Sequence, residues 1–225
     1  MPSCARKHQL TRSLVYHVFN RSNASLPIFR EEPDFQHFMK LLREYSISFK
    51  LSVYHWAIMN NHYHLLFEVE EPETISRCMS GLARAYTHYY HRVYKTNGFL
   101  WQGRFKLQPV EKESYLFACG RYIERNPVRA GIVIEADRYP YSSARFYCLG
   151  LSDGITVEAC SYKDFGVEIT QRRNKYQEFL RDFNAEEETL FKNIENPAGS
   201  REFTKRLIKE HGRYMPRRRG KVRKY

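Results

Sequence analysis

His62 and His64 flank Tyr63 in a β-rich stretch, HYHLLFEV, that runs from His62 to Val69. Side chains two apart on a strand project from the same face, so the two imidazoles stand side by side and Tyr63 points away. Two neutral ring nitrogens at that spacing suit one shared metal ion. Nine histidines in 225 residues also produce such pairs by chance, and most of those bind nothing. Here Leu65, Leu66 and Phe67 anchor the strand directly behind the pair. A second stretch, ESYLFACGRYIERNPVRAG, spans Glu113 to Gly131. Tyr122 and Asn126 lie four apart and share one helix face near its C-terminal end, with Arg121, Arg125 and Arg129 adding positive charge. On these residues alone Tyr122 reads as a helix-packing ring and Asn126 as a C-terminal cap ahead of Pro127.

Periodicity outlines the elements that must position these groups. LVYHVFNRS, from Leu14 to Ser22, sets Val15, His17 and Phe19 opposite Leu14, Tyr16 and Val18, a β-type stretch ending in a polar turn. Pro33-Asp34 opens a helix with Phe35, Phe38, Leu41, Leu42 and Tyr45 at helical spacing. Leu51 to Met59 and His62 to Val69 are β-rich on either side of Asn60-Asn61 and form a hairpin. A long helix from Thr74 to Tyr94 carries Ile75, Met79, Leu82, Ala85, Tyr89 and Val93 along one stripe. Its tyrosines 86, 89, 90 and 94 read as core and surface contacts rather than base-stacking platforms. Phe99 to Val110 is a strand broken at Gln102-Gly103, and Glu113 to about Asn126 is a helix ended by Pro127. The order β-α-β-β-α-β-α predicts an α+β fold, a ferredoxin-like or RRM-like antiparallel sheet with helices packed on one side of it.

Residues 151–225 change character to short, charged, mostly helical pieces. They end in a basic tail, 213–225, with seven positive charges, Arg217, Arg218 and Arg219 among them, and no acid. The whole chain carries 37 Lys and Arg against 25 Asp and Glu, a formal net charge of +12 that attracts polyanions. Aromatic residues at 15% add rings able to stack on unpaired bases, which suits single-stranded nucleic acid. The five cysteines are scattered without a C-x-x-C, which argues against a zinc ribbon or disulfide framework and for a reducing, cytoplasmic setting. No stretch approaches the ~20 apolar residues needed to span a bilayer, so no membrane partner is expected.

The two chemical stretches together closely resemble the single-tyrosine HUH (IS200-like) transposases, and within them the REP-associated tyrosine transposases, named for repetitive extragenic palindromes. The resemblance rests on YHVFNRSN (Tyr16 to Asn23), WAIMNNHYHLLF (Trp56 to Phe67), WQGRF (Trp101 to Phe105), RYIERNPVRAGIV (Arg121 to Val133) and YPYSSARFY (Tyr139 to Tyr147). It implies a catalytic domain over residues 1–150. It implies that His62 and His64 bind Mg²⁺ or Mn²⁺, that Tyr122 is the nucleophile and that Asn126 is a third metal ligand. Tyr115, seven residues earlier, is the rival nucleophile and reads as packing.

The resulting expectation is a metal-dependent transesterase that cleaves and rejoins single-stranded DNA at REP-like hairpins through a 5′-phosphotyrosine. Its DNA contacts are expected from Arg104, Arg121, Arg125, Arg129, Arg217, Arg218 and Arg219. It is expected to act as a monomer or homodimer in a bacterial cytoplasm, near the nucleoid. Two rivals remain: a domesticated, non-catalytic hairpin-binding protein, and an RNA-binding RRM-like module. An intact His62, His64 and Tyr122 set argues against the first, and the lack of an RNP-like aromatic run argues against the second.

Overall fold

The computed structural model describes residues 14–194 and 196–211; the basic tail with Arg217, Arg218 and Arg219 lies outside them. Strand β1 (Val15–Arg21), helix α1 (Glu32–Ser48), strands β2 (Leu51–Met59) and β3 (His62–Val69), helix α2 (Ile75–Tyr94) and strand β4 (Lys106–Val110) follow in that order. All strand pairs are antiparallel and the sheet order is β2-β3-β1-β4, the ferredoxin-like arrangement. The Asn60-Asn61 turn closes the hairpin with Met59 opposite His62. Its tip is gripped by the loop after β1: the amides of Ile28 and Phe29 both donate to the Asn60 carbonyl, at 2.8 and 2.9 Å, and Ser22 donates to that of Asn61 at 2.8 Å. The start of the His-X-His strand is therefore held from outside the sheet.

Alternation sorts the strand side chains onto two covered faces. Tyr16, Val18, Tyr63, Leu65, Phe67 and Leu107 pack with Phe38 and Leu42 of α1 and Met79, Leu82 and Tyr86 of α2 in the main core. Asp34 ties those helices together: it accepts from the amides of Arg30 and Glu31 as an N-terminal cap and from the hydroxyls of Tyr89 and Tyr94. The buried stripe of α2 runs through Cys78, Tyr86 and Tyr90, while Val93 is exposed, so the stripe is rotated from the one expected through Tyr89 and Val93.

The other face does not stay open. Val15, Leu66 and Val110 meet Leu116, Cys119, Tyr122 and Ile123 of helix α3 (Lys112–Glu124). Helices therefore cover both sides of the sheet rather than one, which the adjacent apolar residues Leu65 and Leu66 require. Helix α3 ends at Glu124, and one further turn, α4 (Asn126–Arg129), continues past Pro127. Proline is tolerated there because its missing N–H falls in the first turn, where no intrahelical partner exists.

After α5 (Ala144–Leu149) the chain adds α6 (Ile169–Arg181), α7 (Ala185–Lys192) and α8 (Arg201–His211). Tyr147, Tyr162 and Tyr176 form a third buried cluster, and Phe203 and Leu207 of α8 join the main core. Ser142 and Thr156 bridge to β2 and Ala198 bridges to β4, so both edge strands are engaged.

A register shift between Val53 and His55 in β2 marks a bulge, and the His55 ring lies directly over Gly120 of α3. Its Nδ1 lies 2.9 Å from Glu124 Oε1, which also accepts from Ser143 Oγ at 2.5 Å, while Tyr176 donates to Oε2 at 2.8 Å. This buried network pins the C-terminal end of α3. A Cβ on residue 120 would sit 2.7 Å from three His55 ring atoms. Alanine for glycine in a helix interior normally stabilises by about 1 kcal/mol. Gly120→Ala is expected instead to lose about 1–3 kcal/mol in urea unfolding through overpacking; a gain in stability would show that the ring yields freely.

Candidate active site

A cleft of about 320 Å³ opens where β1 and β3 meet the end of α3, with His17, His62, His64, Tyr122, Asn126 and Arg129 among its walls. Strand alternation produces this gathering. Tyr63 goes to the main core, so His62 and His64 face the opposite way, their ring centroids 5.3 Å apart and nearly perpendicular at 86°. In the β1–β3 register Phe19 lies opposite His64 and Arg21 opposite His62, which makes His17 the diagonal neighbour of His64. The Tyr122 ring stands edge-on to both His17 and His64, at 5.8 Å in each case. The phenol thus sits against the histidine cluster, whereas Tyr115 is half-buried in the α3 packing and does not line the cleft.

Burial keeps the histidines neutral. Loss of water pushes His62 down to about 4, helped by the Arg21 and Arg129 charges and opposed by a hydrogen bond with Asn126. Burial also takes His17 to about 4 against a bond with Gln108, and lowers His64 well below the usual histidine value, with His17, His62, Arg129 and Arg21 adding to the effect. Neutral imidazole keeps a lone pair, which metal ligation requires. For His62 its position follows from the neighbours. Asn61 donates through Nδ2 to the Ser25 carbonyl at 3.0 Å, so its Oδ1, 2.6 Å from His62 Nδ1, is the acceptor. His62 therefore carries its hydrogen on Nδ1 and a lone pair on Nε2.

Asn126 fills the capping role that its position ahead of Pro127 suggested. Its Nδ2 donates to the carbonyls of Tyr122 and Ile123, at 2.9 and 3.0 Å, capping the end of α3. Its Oδ1 accepts from Arg129 Nη2 at 2.5 Å. The side chain thus serves as a cap through nitrogen and offers oxygen elsewhere. His62, His64 and Asn126 line the cleft together; among the described residues no group of three His, Cys, Asp or Glu forms a metal-holding cluster.

Of the arginines expected at DNA, only Arg129 lines the cleft among the described residues. Its guanidinium carbon is 4.8 Å from the Tyr122 ring centre, and Nη1 bonds Glu188 of α7 at 2.5 Å. Burial raises the Tyr122 phenol above its ordinary value, and the charge and hydrogen bond of Arg129 pull against that rise without cancelling it. Arg121 and Arg125 are turned to the C-terminal helices. Arg121 bonds Glu187 at 2.6 Å and lies over Phe179, while Arg125 donates to the Leu180 and Arg181 carbonyls that end α6. Both tether the extension because their helix face is covered by it. Arg104 is exposed ahead of β4 and outside the cleft.

Sequence reasoning passed over His17, Arg21, Lys106 and Lys192 as cleft residues and Gln108 behind them. The alternation of β1 already placed His17 on one face with Val15 and Phe19; adding the ferredoxin-like order, which sets β1 beside β3, would have brought it to His64. Lys192 carried no such signal, because nothing in local periodicity brings α7 to this cleft.

A solved structure with a similar fold is that of a REP-associated tyrosine transposase bound to a REP hairpin, at 15% identity and a TM-score of 0.52, over 67% of this chain and 88% of that one. No curated protein matches the chain. The family described as "Transposase IS200 like" matches residues 11–126, more than half of the chain. That segment contains His62, His64, Tyr122 and Asn126, and the chain belongs to the IS200-like transposase family.

Proposed function

We propose that this transposase cleaves and rejoins single-stranded DNA at hairpins, with Tyr122 as nucleophile and a divalent cation, Mg²⁺ or Mn²⁺, held by His62, His64 and Asn126. The observation that carries the reading is the phenol ring set against neutral, lone-pair-bearing imidazoles in one cleft. The donor set fits a cation. His62 Nε2 has no hydrogen of its own, and Asn126 lines the same cleft. Neutral donors gathered on one cleft suit a positive centre. Bound there, the cation supplies the charge that lets an anionic phosphodiester accept a nucleophile. Imidazole is a soft ligand for Mg²⁺, so phosphate and water oxygens would have to complete its shell, and Mn²⁺ would tolerate the nitrogens better.

The chain's own residues do the rest. Arg21, Lys106 and Lys192 line the cleft together with Arg129 and suit backbone phosphates. Arg129 favours the phenolate by charge and hydrogen bond. Tyr122 Oη forms a bond to phosphorus while the bond to the 3′ oxygen breaks, leaving a 5′-phosphotyrosine and a free 3′-hydroxyl. Bond energy is conserved, so rejoining needs no nucleotide cofactor. The REP hairpin bound to the structural relative supports a hairpin substrate here. An RNA-recognition reading is disfavoured because helix α3 covers the sheet face that such a module presents to bases.

Tyr122→Phe removes one oxygen, and is expected to abolish covalent attachment to a labelled hairpin while binding by gel shift persists; Tyr115→Phe should retain attachment. An adduct formed by the Tyr122 variant would move the nucleophile elsewhere. His62→Ala and His64→Ala should each lower cleavage at least about tenfold, since even partners behind a ligand are worth 10–100-fold, and a chelator should do the same to the unmodified protein. Full cleavage by the double variant in excess chelator would dismiss the cation. Glu188→Gln releases Arg129, so single-strand affinity should rise and the logarithmic salt slope steepen by about 0.7. An unchanged slope in titrations at two salt concentrations would mean that Arg129 meets no phosphate.

A further inference from the structure

The buried pair His17–Gln108 has no part in the reaction described so far. We propose that His17, clamped by Gln108, is a positioning residue that fixes the ring tautomer of His64 and so presents the His64 Nε2 lone pair to the cation. The inference rests on the reading of His64 as a ligand and adds what prepares it.

Gln108 is fully buried. Its Nε2 donates to the carbonyls of Leu190, Asn193 and Asn196 at 3.1, 3.4 and 2.7 Å. Carbonyls only accept, so turning the amide over would press Oε1 against three other oxygens. Oε1 therefore faces His17 Nδ1 at 3.1 Å as an acceptor, and the His17 hydrogen sits on Nδ1. His17 Nε2 then holds a lone pair, and 2.8 Å away His64 Nδ1 must be the donor. That places the single His64 hydrogen on Nδ1 and bares Nε2. Hydrogen bonds run one way along the whole row, from His64 to His17 to Gln108 to the three carbonyls. Free imidazole side chains favour the opposite tautomer, with hydrogen on Nε2, which would block ligation. Asn61 imposes the same choice on His62, so both rings are prepared alike by unrelated neighbours.

The row ends on backbone in the last turn of helix α7 and just after it, beyond residue 126 where the family match stops. The ligand geometry of the family-matched segment is thus set by the extension that follows it. Steric packing alone does not require this arrangement: a phenylalanine fills the His17 site without specifying which His64 nitrogen is protonated.

The test uses the full chain and Mn²⁺ as the probe. Imidazole ¹⁵N–¹H spectra of the metal-free protein should show His64 protonated on Nδ1 and bare at Nε2. Hydrogen on Nε2 in that spectrum overturns the proposal without any variant. Mn²⁺ titration followed by electron paramagnetic resonance should show affinity falling about 10–100-fold in His17→Phe and Gln108→Leu. The spectra of both should move His64 toward the Nε2–H form. His17→Gln supplies an acceptor for His64 and a donor for Gln108, and should recover most of the affinity. A folded His17→Phe with unchanged His64 tautomer and unchanged Mn²⁺ affinity overturns the proposal. If His17→Phe does not fold, the wild-type spectrum and Gln108→Leu decide. Mn²⁺ binding that survives His64→Ala overturns the ligand reading itself, a failure recognisable apart from the tautomer result.

Discussion

Antiparallel pairing of β1 with β3 at the centre of the sheet is the constraint on which the site depends. With Phe19 opposite His64 and Arg21 opposite His62, every even-numbered residue of β3 down to Leu66 faces α3, and Tyr63, Leu65 and Phe67 enter the main core. A slip of one residue would exchange the two sets and put imidazoles among the α1 and α2 side chains. The slip is excluded from both sides, because Tyr63 is fully buried on one face and His64 nearly so on the other. The grip of Ile28, Phe29 and Ser22 on the hairpin tip adds a second lock at the end nearest His62. Helix α3 is located independently, through the buried Glu124 network and the seat that Gly120 provides for His55.

Charge is distributed unevenly about this scaffold. The groups closest to the cleft floor are uncharged histidines and amides, kept so by burial. The cations stand around them, and several already have anionic or carbonyl partners from the extension, as with Arg121 on Glu187 and Arg129 on Glu188. The raised phenol value of Tyr122 fits that balance: burial outweighs the charge and hydrogen bond of Arg129, so the oxygen stays protonated.

Much of this was legible in the residues themselves. Alternation in HYHLLFEV and the Asn60-Asn61 turn specify the hairpin and the shared face of His62 and His64, because strand geometry acts over two residues. The four-residue spacing of Tyr122 and Asn126 likewise survives, although the helix is interrupted between them at Arg125. What could not be read locally was decided by distant partners. Arg121 and Arg125 look like a basic surface in sequence, yet α6 and α7 return across them. Helices were expected on one side of the sheet since nothing near Glu113 announces which face α3 covers. His17 was visible as a member of an alternating strand, but its importance comes from Gln108, 91 positions away.

The engaged sheet edges have a consequence for assembly. Along β2 the carbonyls of Val53, Tyr54, Trp56 and Ile58 and the amide of Ile58 are taken up by Val157, Tyr147, Ser143, Tyr139 and Tyr141. On β4, Pro109 and its neighbour Glu111 exchange bonds with Ala198. A second copy seeking to extend the sheet would first have to strip these segments from it, exposing Tyr139 and Tyr147, whose hydroxyls are bonded to strand backbone. Self-association by strand addition is thereby closed off at these positions, and two copies working on one DNA would meet through helices or through the nucleic acid itself.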